Sequence, residues 1–121
     1  MTGSPIDPAV FAGLVEMTGG EMAFVDELVD TYVEDGAAQV ASLEAAVAAG
    51  SSPETLVRPA HSLKSSSLNV GAVIVGEQCR ELEEAARGGS LPDAAARVAA
   101  IAASYEEAAT ALLAARATHP A

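Results

Sequence analysis

The chain has 121 residues, half of them apolar, with no Trp, two Phe, two Tyr and one Cys, and a net charge of −11. That length holds one domain with one modest core, the apolar half argues against disorder, and the acidic balance argues against a nucleic-acid partner, which needs a basic patch. Alanine, the best helix former, dominates the apolar set and favours helices over sheet; no apolar stretch approaches the ~20 residues of a membrane span, and the lone Cys79 makes neither a disulfide framework nor a metal cluster.

Asp7-Pro8 reads as an N-cap with proline at the first helical position. Phe11, Leu14 and Val15 follow on one stripe, and Gly19-Gly20 closes this short first helix. A second helix is expected from about Glu21 to Ala49, because Val25, Leu28, Tyr32, Gly36, Val40, Leu43 and Val47 recur every three or four residues. Gly50 suits its C′ position. Ser52-Pro53-Glu54 opens a third helix with a cap, a first-turn proline and an acid near the positive end. Its inner stripe is Leu56, Ala60, Leu63, Ser67 and Val70. Its outer stripe is Glu54, Arg58, His61, Ser65 and Leu68, with Lys64 beside it. Pro59 falls within this helix and is expected to bend it just before His61.

Asn69-Val70-Gly71 is the turn signal at mid-chain. A fourth helix covers about Ala72 to Ala86, with Val75, Cys79, Leu82 and Ala86 facing in, and Gly88-Gly89 stops it. Ser90-Leu91-Pro92-Asp93 opens a fifth, whose inner stripe is Val98, Ile101, Tyr105, Ala108 and Leu112. Residues 117–121, including His119, read as a frayed tail. No β-alternation competes. The expected fold is all-α: an antiparallel up-down four-helix bundle with a short extra N-terminal helix across one end. It forms one domain over residues 1–121, with its core at about 7–116.

Charge is unevenly spread. Residues 1–50 carry nine acids and no Lys or Arg, whereas Arg58, Lys64, Arg80 and Arg87 fall between 58 and 87. Within that stretch His61 and Lys64 are three residues apart and share a helix face. An imidazole nucleophile beside an ammonium suits the handling of a phosphoryl group. A hairpin turning near residue 70 brings positions 79–83 opposite His61. A carboxylate there, Glu83 or Glu84, would hold Nδ1–H and leave Nε2 free; spacing alone leaves the choice open. Leu68 reads as an outward apolar anchor for a partner, with Phe11 and Leu14 as candidates for the same patch. Cys79 reads as a core residue, and no His/Cys/Asp spacing makes a metal site.

Taken together, Ala60-His61-Ser62-Leu63-Lys64-Ser65-Ser66-Ser67, Gly71-Ala72 and Cys79-Arg80-Glu81-Leu82-Glu83-Glu84-Ala85-Ala86-Arg87 resemble the histidine-containing phosphotransfer (HPt) domains of multistep bacterial phosphorelays. Phe24, Glu27, Leu28 and Tyr32 upstream fit as well. The resemblance implies that His61 accepts a phosphoryl group from a receiver-domain aspartate and passes it to another receiver. It implies that Lys64 neutralises the phosphate, that Glu83 orients the imidazole, and that Arg58, Ser65 and Leu68 meet the partner. Receivers of response regulators and hybrid histidine kinases are the implied partners, with no cofactor on this chain and Mg²⁺ on the receiver only. A cytoplasmic monomeric carrier without autokinase activity is expected, with no nucleic-acid or membrane partner. The chain departs from the family at Ser65, where glycine usually follows the lysine. That departure, with Pro59, keeps one alternative open: a non-phosphorylated module that regulates a kinase or receiver. A His61/Glu83 phosphoprotein hydrolase is a third reading.

Overall fold

A computed structural model describes residues 5–89 and 91–118. Five helices follow one another: α1 (Pro8–Met17), α2 (Met22–Ala48), α3 (Val57–Asn69), α4 (Val73–Arg87) and α5 (Ala94–Thr118), with a 3₁₀ turn at Pro53–Leu56 leading into α3. No strand occurs among the described residues. The long helices α2 to α5 form the antiparallel bundle. Their directions are fixed by cross-helix contacts. Tyr32 Oη on α2 lies 2.8 Å from Ser67 Oγ near the end of α3, and Arg116 late on α5 donates to Asp30 Oδ1 early on α2 at 2.7 Å.

The core is what the periodicity predicts, with one exchange. Val25, Tyr32, Val40 and Leu43 of α2 are buried, as are Leu56, Ala60, Leu63 and Val70 around α3, and Val75, Cys79, Leu82 and Ala86 of α4. On α5 all five predicted positions, Val98, Ile101, Tyr105, Ala108 and Leu112, are buried. Leu28 is exposed and Val29 takes the core position instead. Both fit a three-or-four spacing from Val25, and only the rotation of α2 against its neighbours separates them. Phe11 and Leu14 are buried beneath α1, so they belong to the core and not to an outer patch.

Asp7 caps α1 by accepting from Ala9 N at 2.9 Å. Its own N–H donates to Gly71 O at 2.7 Å, which pins α1 over the α3–α4 turn. Gly71 sits at φ +86°, and a Cβ there would meet Val10 Cβ at 3.0 Å and Asp7 O at 3.1 Å. Both the left-handed turn and the close seat of α1 therefore require glycine at this position.

Three local expectations change. Pro59 does not sit inside a continuous helix: the 3₁₀ turn ends at Leu56 and α3 begins at Val57, so Pro59 falls in its first turn. A first-turn N–H has no intrahelical partner, so proline removes nothing there. The fifth helix runs through Ala117 and Thr118 rather than fraying at 117. The stretch Ala94–Ala117 is also long and apolar enough to cross a bilayer by length and composition, contrary to the sequence expectation. Much of that apolarity is alanine, and of the larger side chains among it Val98, Ile101, Tyr105 and Leu112 pack into the bundle while Leu113 is exposed. The cap expected at Ser90 and the tail histidine His119 lie outside the described residues.

Candidate functional site

Helix α3 presents the outer stripe that the sequence predicts. Arg58, His61, Ser65 and Leu68 are exposed, while Ala60, Leu63 and Ser67 on the opposite side are buried. The α3–α4 hairpin then sets Glu83 against His61. The two elements contribute one acid, one imidazole and two cations to a single cluster.

Glu83 is its centre. The side chain of Glu83 is only 7% exposed, whereas the His61 ring is 55% exposed. Glu83 Oε2 lies 3.1 Å from His61 Nδ1 and accepts from Arg87 Nη2 at 2.8 Å. Glu83 Oε1 accepts from Lys64 Nζ at 2.8 Å. The Lys64 ammonium and the Arg87 guanidinium hold the Glu83 carboxyl down at about 2 against the desolvation that opposes ionisation, and the His61 hydrogen bond adds to them. Glu83 is therefore an ionised acceptor at neutral pH. An ionised carboxylate offers no proton, so Nδ1 carries the hydrogen, and in the neutral imidazole this tautomer leaves the lone pair on Nε2.

The choice left open between Glu83 and Glu84 is resolved by this geometry. Glu84 is exposed and accepts from Arg80 Nη1 at 2.8 Å, while Arg80 Nη2 donates to Glu77 at 2.8 Å. Arg80 is thus tied along its own helix and adds no charge to the histidine cluster. Arg58 lies on the exposed side of α3 with no ion pair among the described residues. Ser65 stands exposed one turn beyond His61. Leu68 is 44% exposed and lies across Gly76 of α4, where any Cβ would collide with its side chain. Cys79 is buried in the core, and burial with the nearby Glu83 carboxylate pushes its thiol up to about 12.

Arg87 is the residue that sequence reasoning missed. Its signal was present: it stands four residues after Glu83, the spacing at which an acid and a base on one helix pair. Two further apolar side chains, Phe24 and Leu28 on α2, are exposed although the sequence gives no reason to place them at the surface. No group of three or more His, Cys, Asp or Glu among the described residues is arranged to hold a metal ion.

A family model described as Hpt domain matches residues 27–111. Among solved structures, the chain is similar to the crystal structure of histidine-containing phosphotransfer protein B (HptB) from Pseudomonas aeruginosa PAO1. That likeness covers 98% of this chain and 100% of the other, with a TM-score of 0.85 and 33% sequence identity. No curated protein matches the chain.

Proposed function

The chain belongs to the Hpt domain family and is a histidine phosphotransfer intermediate of a phosphorelay, and from that premise we propose that His61 is the residue that carries the phosphoryl group. The observation that carries this assignment is an exposed imidazole whose Nδ1 is held 3.1 Å from a buried, ionised carboxylate, Glu83. Members of this family are phosphoryl carriers rather than enzymes of the usual kind, and the binding-only alternative is not favoured by the comparisons.

The residues act as follows. A receiver docks with its phosphorylated aspartate in line with Nε2 of His61. The Nε2–P bond forms as the P–O bond of the acyl phosphate breaks, and the aspartate leaves with the electron pair. The ring becomes cationic, keeps its proton on Nδ1, and is stabilised by Glu83. Lys64 neutralises phosphoryl oxygens. The bundle contributes position and charge and forms no further covalent bond. The phosphohistidine has a high transfer potential, so the same geometry serves donation to a second receiver.

Arg58, Ser65 and Leu68 ring His61 on the exposed side of α3 and form the docking patch in this reading. The hydroxymethyl of Ser65, in the place of the usual glycine, lies on the path of the incoming receiver. Phosphorelay partners follow from the family; receivers of response regulators and of hybrid kinases are the specific proposal. The chain takes no cofactor of its own, with Mg²⁺ held by the receiver, and has no autokinase activity. It acts as a cytoplasmic monomer without nucleic-acid or membrane partners.

Mixing the protein with a phosphorylated receiver tests the assignment. The expected result is an acid-labile, alkali-stable phosphoryl group on the protein that is lost in His61→Gln. A label that persists in His61→Gln, or binding with no transfer, refutes it.

A further inference from the structure

Lys64, the side chain assigned to the incoming phosphate, is already engaged in the unphosphorylated protein. Its Nζ donates to Glu83 Oε1 at 2.8 Å, and the side chain is only 23% exposed. Turning it toward a phosphoryl group on His61 Nε2 removes a cation from a carboxylate that is 7% exposed. A buried carboxylate left without compensation is costly, and it would relax by rotating toward solvent, away from Nδ1.

The cluster holds a second cation for one negative charge. Arg87 Nη2 and Nε approach Glu83 Oε2 at 2.8 and 3.3 Å, on the oxygen that also faces His61 Nδ1, while Lys64 sits on the other oxygen. Arg87 has no other ion-pair partner among the described residues. We propose that Arg87 is a positioning residue for phosphotransfer: it keeps Glu83 paired and aimed at His61 Nδ1 while Lys64 leaves Oε1 for the phosphoryl group. Arg87 makes and breaks no bond in the reaction. Its guanidinium stays on Oε2, the proton stays on Nδ1, and Lys64 is the one group that changes partners. This inference rests on the reading that His61 carries the phosphoryl group.

Rapid-quench transfer from a phosphorylated receiver, across a range of receiver concentrations, tests it in the full chain. The variants are Arg87→Ala, Arg87→Lys, Lys64→Ala and the double variant Lys64→Ala/Arg87→Ala. Arg87→Ala is expected to lower the maximal transfer rate about tenfold, the lower end of what a charge-assisted hydrogen bond contributes. The receiver concentration giving half the maximal rate is expected to hold, and Arg87→Lys to recover part of the loss. In the Lys64→Ala background the further loss is expected to be at least as large, because Arg87 is then the only cation left on Glu83. An unchanged maximal rate in Arg87→Ala overturns the proposal, as does an Arg87→Ala loss that vanishes in the Lys64→Ala background. Should Arg87→Ala fail to fold, Arg87→Lys and its pairing with Lys64→Ala decide the same question. A wild-type chain that takes no label on His61 defeats the phosphohistidine assignment itself, whereas a labelled wild type with an indifferent Arg87 defeats only the role given to Arg87.

Discussion

Glu83 couples three partners through two oxygens, so replacing it removes more than charge. Glu83→Gln keeps an amide oxygen for Nδ1–H but leaves Lys64 and Arg87 with no anion between them. A loss of about 1–3 kcal/mol at neutral pH is expected, the range for a broken buried polar cluster. The pH dependence has a definite sign. The Lys64 and Arg87 contacts hold the Glu83 carboxyl at about 2, below its ordinary 4.5. Its stabilising contribution is therefore fully present above pH 4.5 and is lost as pH falls toward 2. Urea unfolding of wild type and Glu83→Gln at several pH values checks this: the gap between them holds steady from pH 7 to 5 and closes below 4.5. A gap that widens in acid would mean that the carboxylate is not stabilised by its partners. At the same scale, Cys79 is fully buried and its thiol is raised to about 12, so it should resist thiol reagents in the native chain and react fully on unfolding. Fast labelling without denaturant would place Cys79 outside the core.

Between helices, the α2–α5 contact depends on the absence of one methyl group. Gly36 lies mid-α2, where a Cβ would run into the Tyr105 ring. That ring cannot move freely, because Tyr105 Oη donates to Val33 O and its face tilts against Tyr32 with centroids 5.8 Å apart. Alanine is favoured over glycine in a helix by about 1 kcal/mol, yet Gly36→Ala should destabilise by about 1–3 kcal/mol, because overpacking a fixed ring outweighs propensity. Thermal melting decides it, and a raised melting temperature would mean that Tyr105 has room to shift. Helix-level features of this kind divide what the sequence reveals from what it hides. The number of helices, their limits to within a few residues, and the buried stripe of α5 followed from periodicity, because a 3.6-residue repeat has only one face to bury. That the stretch near 79–83 faces His61 followed from the hairpin turn. Leu28 against Val29 did not follow, since adjacent positions differ only by a helix rotation that packing sets. Pro59 reads as mid-helix in the sequence because a 3₁₀ turn and the start of an α-helix carry the same composition. Spacing does not separate Glu83 from Glu84, which only the hairpin register distinguishes, and the role of Arg87 is hidden because a pair along one helix looks like an ordinary surface contact.

Across the whole molecule, charge acts differently at long and short range. The body carries −11, and most of its few cations are occupied: Lys64 and Arg87 by Glu83, Arg80 by Glu77 and Glu84, Arg97 by Asp93, and Arg116 by Asp26 and Asp30. Arg58 is the only Lys or Arg without an ion pair among the described residues, and it stands exposed one turn before His61. The positive locus read from sequence is therefore narrower than its four basic residues imply. A receiver of net negative charge meets a repelling body first and an attracting arginine only near contact. One unit pair at 10 Å in water is worth only about 0.4 kcal/mol, too little to reverse the repulsion of the whole. Added salt shortens the screening length from ~30 Å at 0.01 M to ~8 Å at 0.15 M, which removes the far repulsion and leaves the contact at Arg58. Stopped-flow association with such a receiver should accelerate as salt rises over this range. Arg58→Glu should slow association about two- to threefold with little change in dissociation, as charges at the rim of an interface do. Association that slows with salt in the wild type would show that a wider positive field governs docking, and an Arg58→Glu chain that docks as fast as wild type would remove Arg58 from the patch around His61.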